Sequence, residues 1–432
     1  MAGLAALLTS VMFLASCTGT RASNGAPSYG SGAEAPTVAE VTTLLQRHSA
    51  AVRNHSVTAF MADIDPSPAA DAYRAAQAAE IDSLSHIPLR SWVYSVNSPV
   101  TDLSVVKSAA ARLGASTTIV HVSIAYAIDA VDQSPVSHDL WWTFVRRNGR
   151  VYVASDTDLS GLGGQSWRGP WDFGPVISVR TGASLVLGPP SAALLLTQLS
   201  SEVDAAVSRV AAVWGNNWDR VVALVLPSSS AEFVALTGQS DQPGGTGAPI
   251  ADVAAETVFE SPDAATGGGA GARVIINGAA LGVLTPLGRR IVLQHEITHV
   301  ATAASTTVDT PRWLIEGYAE FVGNLGSGQP VRVAAAELAA EVAKGTLPAA
   351  LPTTTDFASS TRVAAVYEQS WLACRLIAAR AGQSGLTRLY RMVGQSNQIG
   401  ETAVASAIQA VLHESTTAFI SQWRTYLTAQ LS

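Results

Sequence analysis

The sequence predicts an α+β chain of two folded units, and three observations carry that reading. In the first half, segments with helical apolar spacing come first and strand runs follow. A Gly- and Pro-rich stretch, 161–175, then marks a boundary. In the second half, short β-branched runs alternate with helical patterns before the motif at 295–299, and only helical patterns follow it. A length of 432 residues fits two or three domains, and 48% hydrophobic with 14% charged residues supplies ample core for them.

The chain starts with an apolar run, Leu4–Leu14. About 12 apolar residues are too few to cross a bilayer as a helix but suit a signal-peptide core. The run ends in Leu14-Ala15-Ser16-Cys17, which resembles the bacterial lipobox, where the Cys is acylated and becomes the mature first residue. No Lys or Arg precedes Arg21, so a positive leading segment is missing, and a cleaved secretory signal with an incidental Cys17 is the alternative. Residues 1–17 therefore read as a signal and 18–36, rich in Gly, Ser, Ala and Pro, as a flexible tether. The expected location is the cell envelope outside the cytoplasm, lipid-anchored to the membrane or, failing acylation, secreted. The second cysteine, Cys374, stands beside Trp371, Leu372 and Leu376 on an apolar helix and reads as a buried thiol.

Residues 37–175 form the first unit. Thr37 can cap a helix over 38–52, and a second helical stretch covers 69–84. Strand runs follow at 91–96, 116–129, 139–147 and 150–155, the last two joined by Asn148-Gly149, a strong signal for a type I′ hairpin. Helices followed by an antiparallel sheet resemble the NTF2-like or cystatin-like cone layout. Trp141, Trp142, Trp167 and Trp171 gather at its end, as core and interdomain packing or as the wall of a ligand cleft.

Residues 176–432 form the second unit. A strand region at 177–187 leads into a long helix, 191–214, with Leu194, Leu195, Val203, Val207 and Val210 as its apolar stripe. A buried strand at 221–226, a helix at 230–236 and a Gly/Pro-rich loop at 238–249 come next. The run Arg273–Asn277 reads as a strand that borders a cleft and could pair with an extended peptide. Thr285 can cap a helix with Pro286 in its first turn, running past residue 300. Further helices are expected at 312–322, 362–372, 403–412 and 416–431.

The helix from Pro286 contains His295-Glu296-Ile297-Thr298-His299. Positions i and i+4 share a helix face, so both imidazoles can reach one Zn²⁺ at about 2.0–2.1 Å. Glu296, the neighbour of His295, is placed to take a proton from an attacking water. With only 8 His in the chain, the pattern is no by-product of His-richness. Glu316 follows His299 by 17 residues, enough for one loop and one helical turn to return a carboxylate to the metal. Two His and one Glu, with a fourth position open to water, make a catalytic donor set and not a closed structural one. Glu320 lies one turn beyond Glu316 and suits the carboxylate that orients a ligating imidazole, His295 in particular. The reverse assignment, with Glu320 on the metal, is the alternative to Glu316, which the reading favours. Gly317 costs helix stability, which points to a close approach by a neighbouring element.

His295–His299 followed by Trp313-Leu314-Ile315-Glu316-Gly317-Tyr318-Ala319-Glu320 resembles the gluzincin metallopeptidases, the thermolysin-like and M1-like group. The resemblance covers residues 270–325. It implies a small mixed sheet, an active-site helix and a helical C-terminal lobe, with zinc on His295, His299 and Glu316 and Glu296 as general base. It also implies an oxyanion-stabilising Tyr or His from the C-terminal lobe. Tyr367 is the best placed, with Tyr318, Tyr390 and His413 as alternatives. A G-x-M-E-N segment is missing, which argues against capture of a free amino terminus.

The expected function is thus zinc-dependent hydrolysis of a peptide or protein substrate. A zinc hydrolase acting on a non-peptide bond, or a non-catalytic binding lipoprotein, are the alternatives. A net charge of −7 argues against nucleic acid as a partner.

Overall fold

The computed structural model describes residues 34–238, 253–262, 269–358 and 361–432. The expected signal segment with Cys17, the tether up to residue 33, the loop at 239–249 and residues 267–268 of the glycine-rich stretch lie outside the described residues.

Three helices open the first unit: α1 (Val38–Arg53), α2 (Val57–Met61) and α3 (Asp71–Leu84). Thr37 and Glu40 close a reciprocal capping box at the start of α1. Then β1 (Leu89–Pro99), α4 (Leu103–Leu113), β2 (Ser116–Ile128), β3 (Val136–Arg147) and β4 (Arg150–Ser155) follow, the four strands forming an antiparallel sheet in chain order. Arg147 faces Arg150 across the Asn148-Gly149 turn, whose φ values of 48° and 77° meet the type I′ requirement. Helix α4 was not among the expected elements. It is capped by Asp102, which accepts from Ser104 N at 2.8 Å, and stopped by Gly114 in the left-handed region at φ 60°.

The second unit contains β5 (Ile177–Arg180), β6 (Ser184–Gly188), α5 (Ala193–Trp214), β7 (Val222–Val225), α6 (Ser230–Thr237), β8 (Ala255–Pro262), β9 (Gly269–Ile276) and α7 (Gly278–Gly282). Its sheet runs β5-β6-β7-β9-β8, with a parallel centre (β6, β7, β9) and an antiparallel strand at each edge. The strand expected to border the cleft, β9, is therefore internal. The edge belongs to β8, a strand absent from the sequence-based expectation. Helices α8 (Pro286–Thr302), α9 (Arg312–Asn324), α10 (Val331–Ala334), α11 (Ala336–Ala343), α12 (Val363–Gly394), α13 (Gly400–Leu412) and α14 (Thr416–Leu431) complete the chain, α12 bending at Gly382 (φ 76°, ψ 167°). Among the described residues no helix is long and apolar enough to cross a membrane.

Alternate residues of the second sheet feed two cores, as the period of two in a strand dictates. Val186, Leu224, Val274 and Ile276 face a large helical core with Leu196, Val203 and Val210 of α5 and Leu293 and Ile297 of α8. Leu185, Leu187, Val225 and Ile275 point the other way, into the core of the first unit, alongside Trp92, Tyr126, Val136 and Trp171. Cover on both faces explains the unbroken apolar runs of β6, β7 and the end of β9. Trp142 and Trp171 are buried in the first core, while Trp167 stacks on His138 with centroids 3.9 Å apart. Arg273 of β9 crosses the junction between the units with 2% exposure. Its two terminal nitrogens donate to the Asp132 carboxylate at 2.8 and 2.9 Å, and its Nε lies 3.3 Å from Glu260 Oε1.

Candidate metal centre

Helix α8 starts as its sequence demands: Thr285 Oγ1 accepts from Gly288 N at 3.1 Å, with Pro286 in the first turn. Leu293, Ile297 and Ala301, four residues apart, pack into the core shared with α5. That fixes the opposite face, and His295 and His299 lie on it with partly exposed rings. Gln294 donates from Nε2 to the carbonyls of Val322 (3.2 Å) and Gly323 (2.9 Å), satisfying orphan groups at the end of α9 and locking the two helices together.

Helix α9 carries Glu316 between buried Trp313, Leu314 and Tyr318. It runs against α12 so closely that a Cβ on Gly317 would stand 2.4 Å from Ser370 O and 3.0 Å from Cys374 Sγ. Gly317→Ala should therefore cost about 1–3 kcal/mol, because backbone on the facing helix cannot yield as a side chain would. Chemical denaturation of the two proteins measures it, and an unchanged midpoint would contradict so close a packing of α9 on α12. Cys374 is buried and free, as its apolar neighbours require, and burial pushes its thiol up.

The three predicted donors converge. His295 Nε2 and His299 Nε2 lie 3.0 Å apart, and Glu316 Oε2 is 3.5 Å from each. A triangle of those sides has a centre about 2 Å from every corner, the distance at which Zn²⁺ sits from imidazole nitrogen and carboxylate oxygen. Two neutral nitrogens and one carboxylate oxygen also form a borderline-soft donor set suited to that ion. His295, His299 and Glu316 could thus hold a metal ion. Without it, burial works against the charged Glu316 carboxylate, yet the two facing imidazoles hold it well below the usual range.

Glu320 faces the other ring nitrogen: its Oε1 is 3.3 Å from His295 Nδ1, and Asn324 Nδ2 donates to its Oε2 at 2.9 Å. The geometry separates the two carboxylates, with Glu316 at the Nε2 atoms and Glu320 behind the ring. Glu296 is buried beside the edge strand, where Thr257 Oγ1 of β8 lies 2.7 Å from its Oε2 and 3.0 Å from its backbone oxygen. Arg312 Nε donates to Glu316 Oε1 at 3.4 Å, and its guanidinium lies 4.9 Å from the Phe357 ring centroid. Thr257 and Arg312 were missed from the sequence. Arg312 heads the helix that carries Glu316, one turn before it, which is the signal that could have found it.

Tyr367 of α12 reaches this site. Its ring centroid is 6.4 Å from that of His295 and 5.2 Å from that of Phe357, and burial pushes its phenol up. The alternatives have other engagements. Tyr318 OH pairs with Thr387 Oγ1 at 2.8 Å, Tyr390 OH with Thr306 Oγ1 at 2.7 Å, and His413 sits exposed at the C-terminal end of α13.

No protein-family model matches this chain, and no curated protein matches it. Among solved structures, it is similar to an M1 zinc metallopeptidase from Deinococcus radiodurans, at 15% identity over 65% of this chain and 58% of that one, with a TM-score of 0.35. It is likewise similar to native yeast LTA4 hydrolase, at 12% identity over 66% of this chain and 43% of that one, also with a TM-score of 0.35. The chain spans less than two thirds of the length of either.

Proposed function

We propose that this chain is a zinc-dependent peptide hydrolase of gluzincin type, anchored outside the cytoplasm through an acylated Cys17. The observation that carries the reading is the buried carboxylate of Glu296, held by Thr257 beside a metal-sized triangle of His295, His299 and Glu316. A purely structural site has no use for a base in that position.

Zn²⁺ bound there would supply Lewis-acid chemistry, polarising a carbonyl and acidifying water. The chain's own residues do the rest. Glu296 takes the proton of the attacking water and returns it to the leaving amine, since a base held within hydrogen-bond reach can serve both steps. Tyr367 donates its hydroxyl proton toward the carbonyl oxygen as negative charge develops, the protonated form being the one that burial favours. Edge strand β8 offers its outward backbone groups to an extended peptide, so a peptide or protein strand is the substrate class. Glu320 orients the His295 ring through Nδ1. Arg312 occupies the second oxygen of Glu316, leaving the first for the metal.

Such outer contacts govern affinity: Glu320→Ala and Arg312→Ala should each weaken zinc binding about 10–100-fold. Competition with a chromophoric chelator reads this directly, and parent-like affinity in both variants would remove these residues from the metal's support. The function itself is tested on the full chain by elemental analysis for zinc and by mass spectrometry of a mixed peptide library after incubation. One zinc per chain with peptide cleavage is the expected result. Zinc without cleavage would turn the reading to a non-catalytic role, and no zinc would end it.

A further inference from the structure

The first unit encloses a second polar constellation. Helix α3, the sheet and the segment around Arg168 surround a cavity of about 20 Å³. A space of that size admits one water-sized group. Three carboxylates line it, Glu80, Asp156 and Asp172, against a single cation, Arg168. Arg168 is already committed: its Nη1 lies 2.7 Å from Asp156 and 3.6 Å from Asp172. The other oxygen of Asp172 accepts from Gly169 N at 2.8 Å.

Glu80 is left over. It is 7% exposed, accepts from Gln77 Nε2, and forms no ion pair among the described residues. Gln77, itself 4% exposed, lines the same cavity and presents a carboxamide oxygen, Oε1, that receives no hydrogen bond. Gln77 Oε1 thus faces the space as a buried acceptor without a donor, which costs about 1–3 kcal/mol, while Trp92 Nε1 on the same wall is a donor without an acceptor. The remaining wall includes the rings of Trp92, Tyr94 and Trp171, whose faces attract cations. Burial holds the Glu80 carboxyl well above the usual range and raises Asp172 to about 6. Tyr73 and Tyr94, facing the same carboxylates, stay protonated because burial pushes both phenols up.

We propose that this cavity binds an ammonium ion. Its N–H donors meet Glu80 and Gln77 Oε1, its charge replaces the proton on Glu80, and the aromatic wall supports it. Neither the metal residues nor the hydrolytic reading is needed for this site.

The test is calorimetric titration of the full chain at pH 7 with ammonium chloride, methylammonium chloride and potassium chloride, each in two buffers of different ionisation enthalpy. Saturable binding of ammonium ion is expected, with about one proton released per site as Glu80 ionises. Glu80→Gln, isosteric with the protonated form, should weaken it at least about tenfold, as should Gln77→Met to a lesser degree. Ammonium ion should bind more tightly than methylammonium, whose methyl group exceeds a one-water space. No saturable heat, potassium binding as tight as ammonium, or unchanged affinity in a folded Glu80→Gln chain would each overturn the proposal.

Discussion

Under the proposed reaction, Glu296→Gln should keep zinc and lose peptide hydrolysis by about 10²–10⁴-fold, the range that a positioned general base supplies. Glutamine preserves the shape of the side chain, and its carbonyl oxygen still accepts from Thr257, which lies 2.7 Å from Glu296 Oε2. The fold around α8 and the donors His295, His299 and Glu316 are therefore undisturbed, and only the ability to carry a proton is gone. Equal zinc content by elemental analysis, together with a rate drop in the library assay, separates this change from loss of the metal. A variant that retained more than about a tenth of the parent rate would place the base elsewhere, since that remaining activity exceeds what a lost base permits.

Arg273→Met should be the most damaging single change to stability, at about 3–5 kcal/mol. The side chain spans the junction of the two units and answers two buried carboxylates at once, Asp132 and Glu260. Methionine fills much of its volume but removes the guanidinium that both carboxylates share. The pH dependence identifies the cause. Burial alone would raise Glu260, yet Arg273, with His138 and Tyr126, holds its carboxyl below the ordinary value of 4.5. A depressed carboxylate contributes stability above its unfolded pKa and loses it as the pH falls through the folded one. In the variant that stabilisation is absent and burial is left acting on Glu260, so acidification helps the folded state. The gap between parent and variant is thus widest near neutrality and narrows below about pH 4.5. Urea denaturation at pH 7 and pH 4 measures both limbs, and a gap that stayed constant would point to packing and not to charge.

The candidate metal centre was legible because its determinants are local. Thr285, Pro286 and the i, i+4 spacing of His295 and His299 act within one helix, and Glu316 needs only a short loop to return. Gly317 announced a close neighbour without naming it, and the neighbour proved to be the Ser370 backbone. What escaped depends on partners distant in sequence. Strand β8 has no apolar run of its own kind. It exists because it pairs with β9, Thr257 opposite Val274, and only that pairing carries Thr257 to Glu296. Which of Glu316 and Glu320 faces the Nε2 atoms likewise depends on how α9 packs on α8, since both carboxylates share a helix face. Helix α4 is the reverse case: Asp102 and Gly114 marked its ends in the sequence, but its single buried pair, Ala109 and Leu113, makes a weak stripe between two strong strand signals.

The double-sided second sheet has a consequence for anyone who would shorten this chain. Trimming it at residue 176 would remove Trp92, Tyr126, Val136 and Trp171 and leave Leu185, Leu187, Val225 and Ile275 bare on one broad surface. Side chains of that kind gathered in one patch drive self-association. It would also strip Asp132 from Arg273, leaving Glu260 as the one carboxylate still facing the guanidinium among the described residues. The leading unit is therefore not baggage that a protein engineer could discard while keeping the second unit folded, because it covers one face of the second sheet.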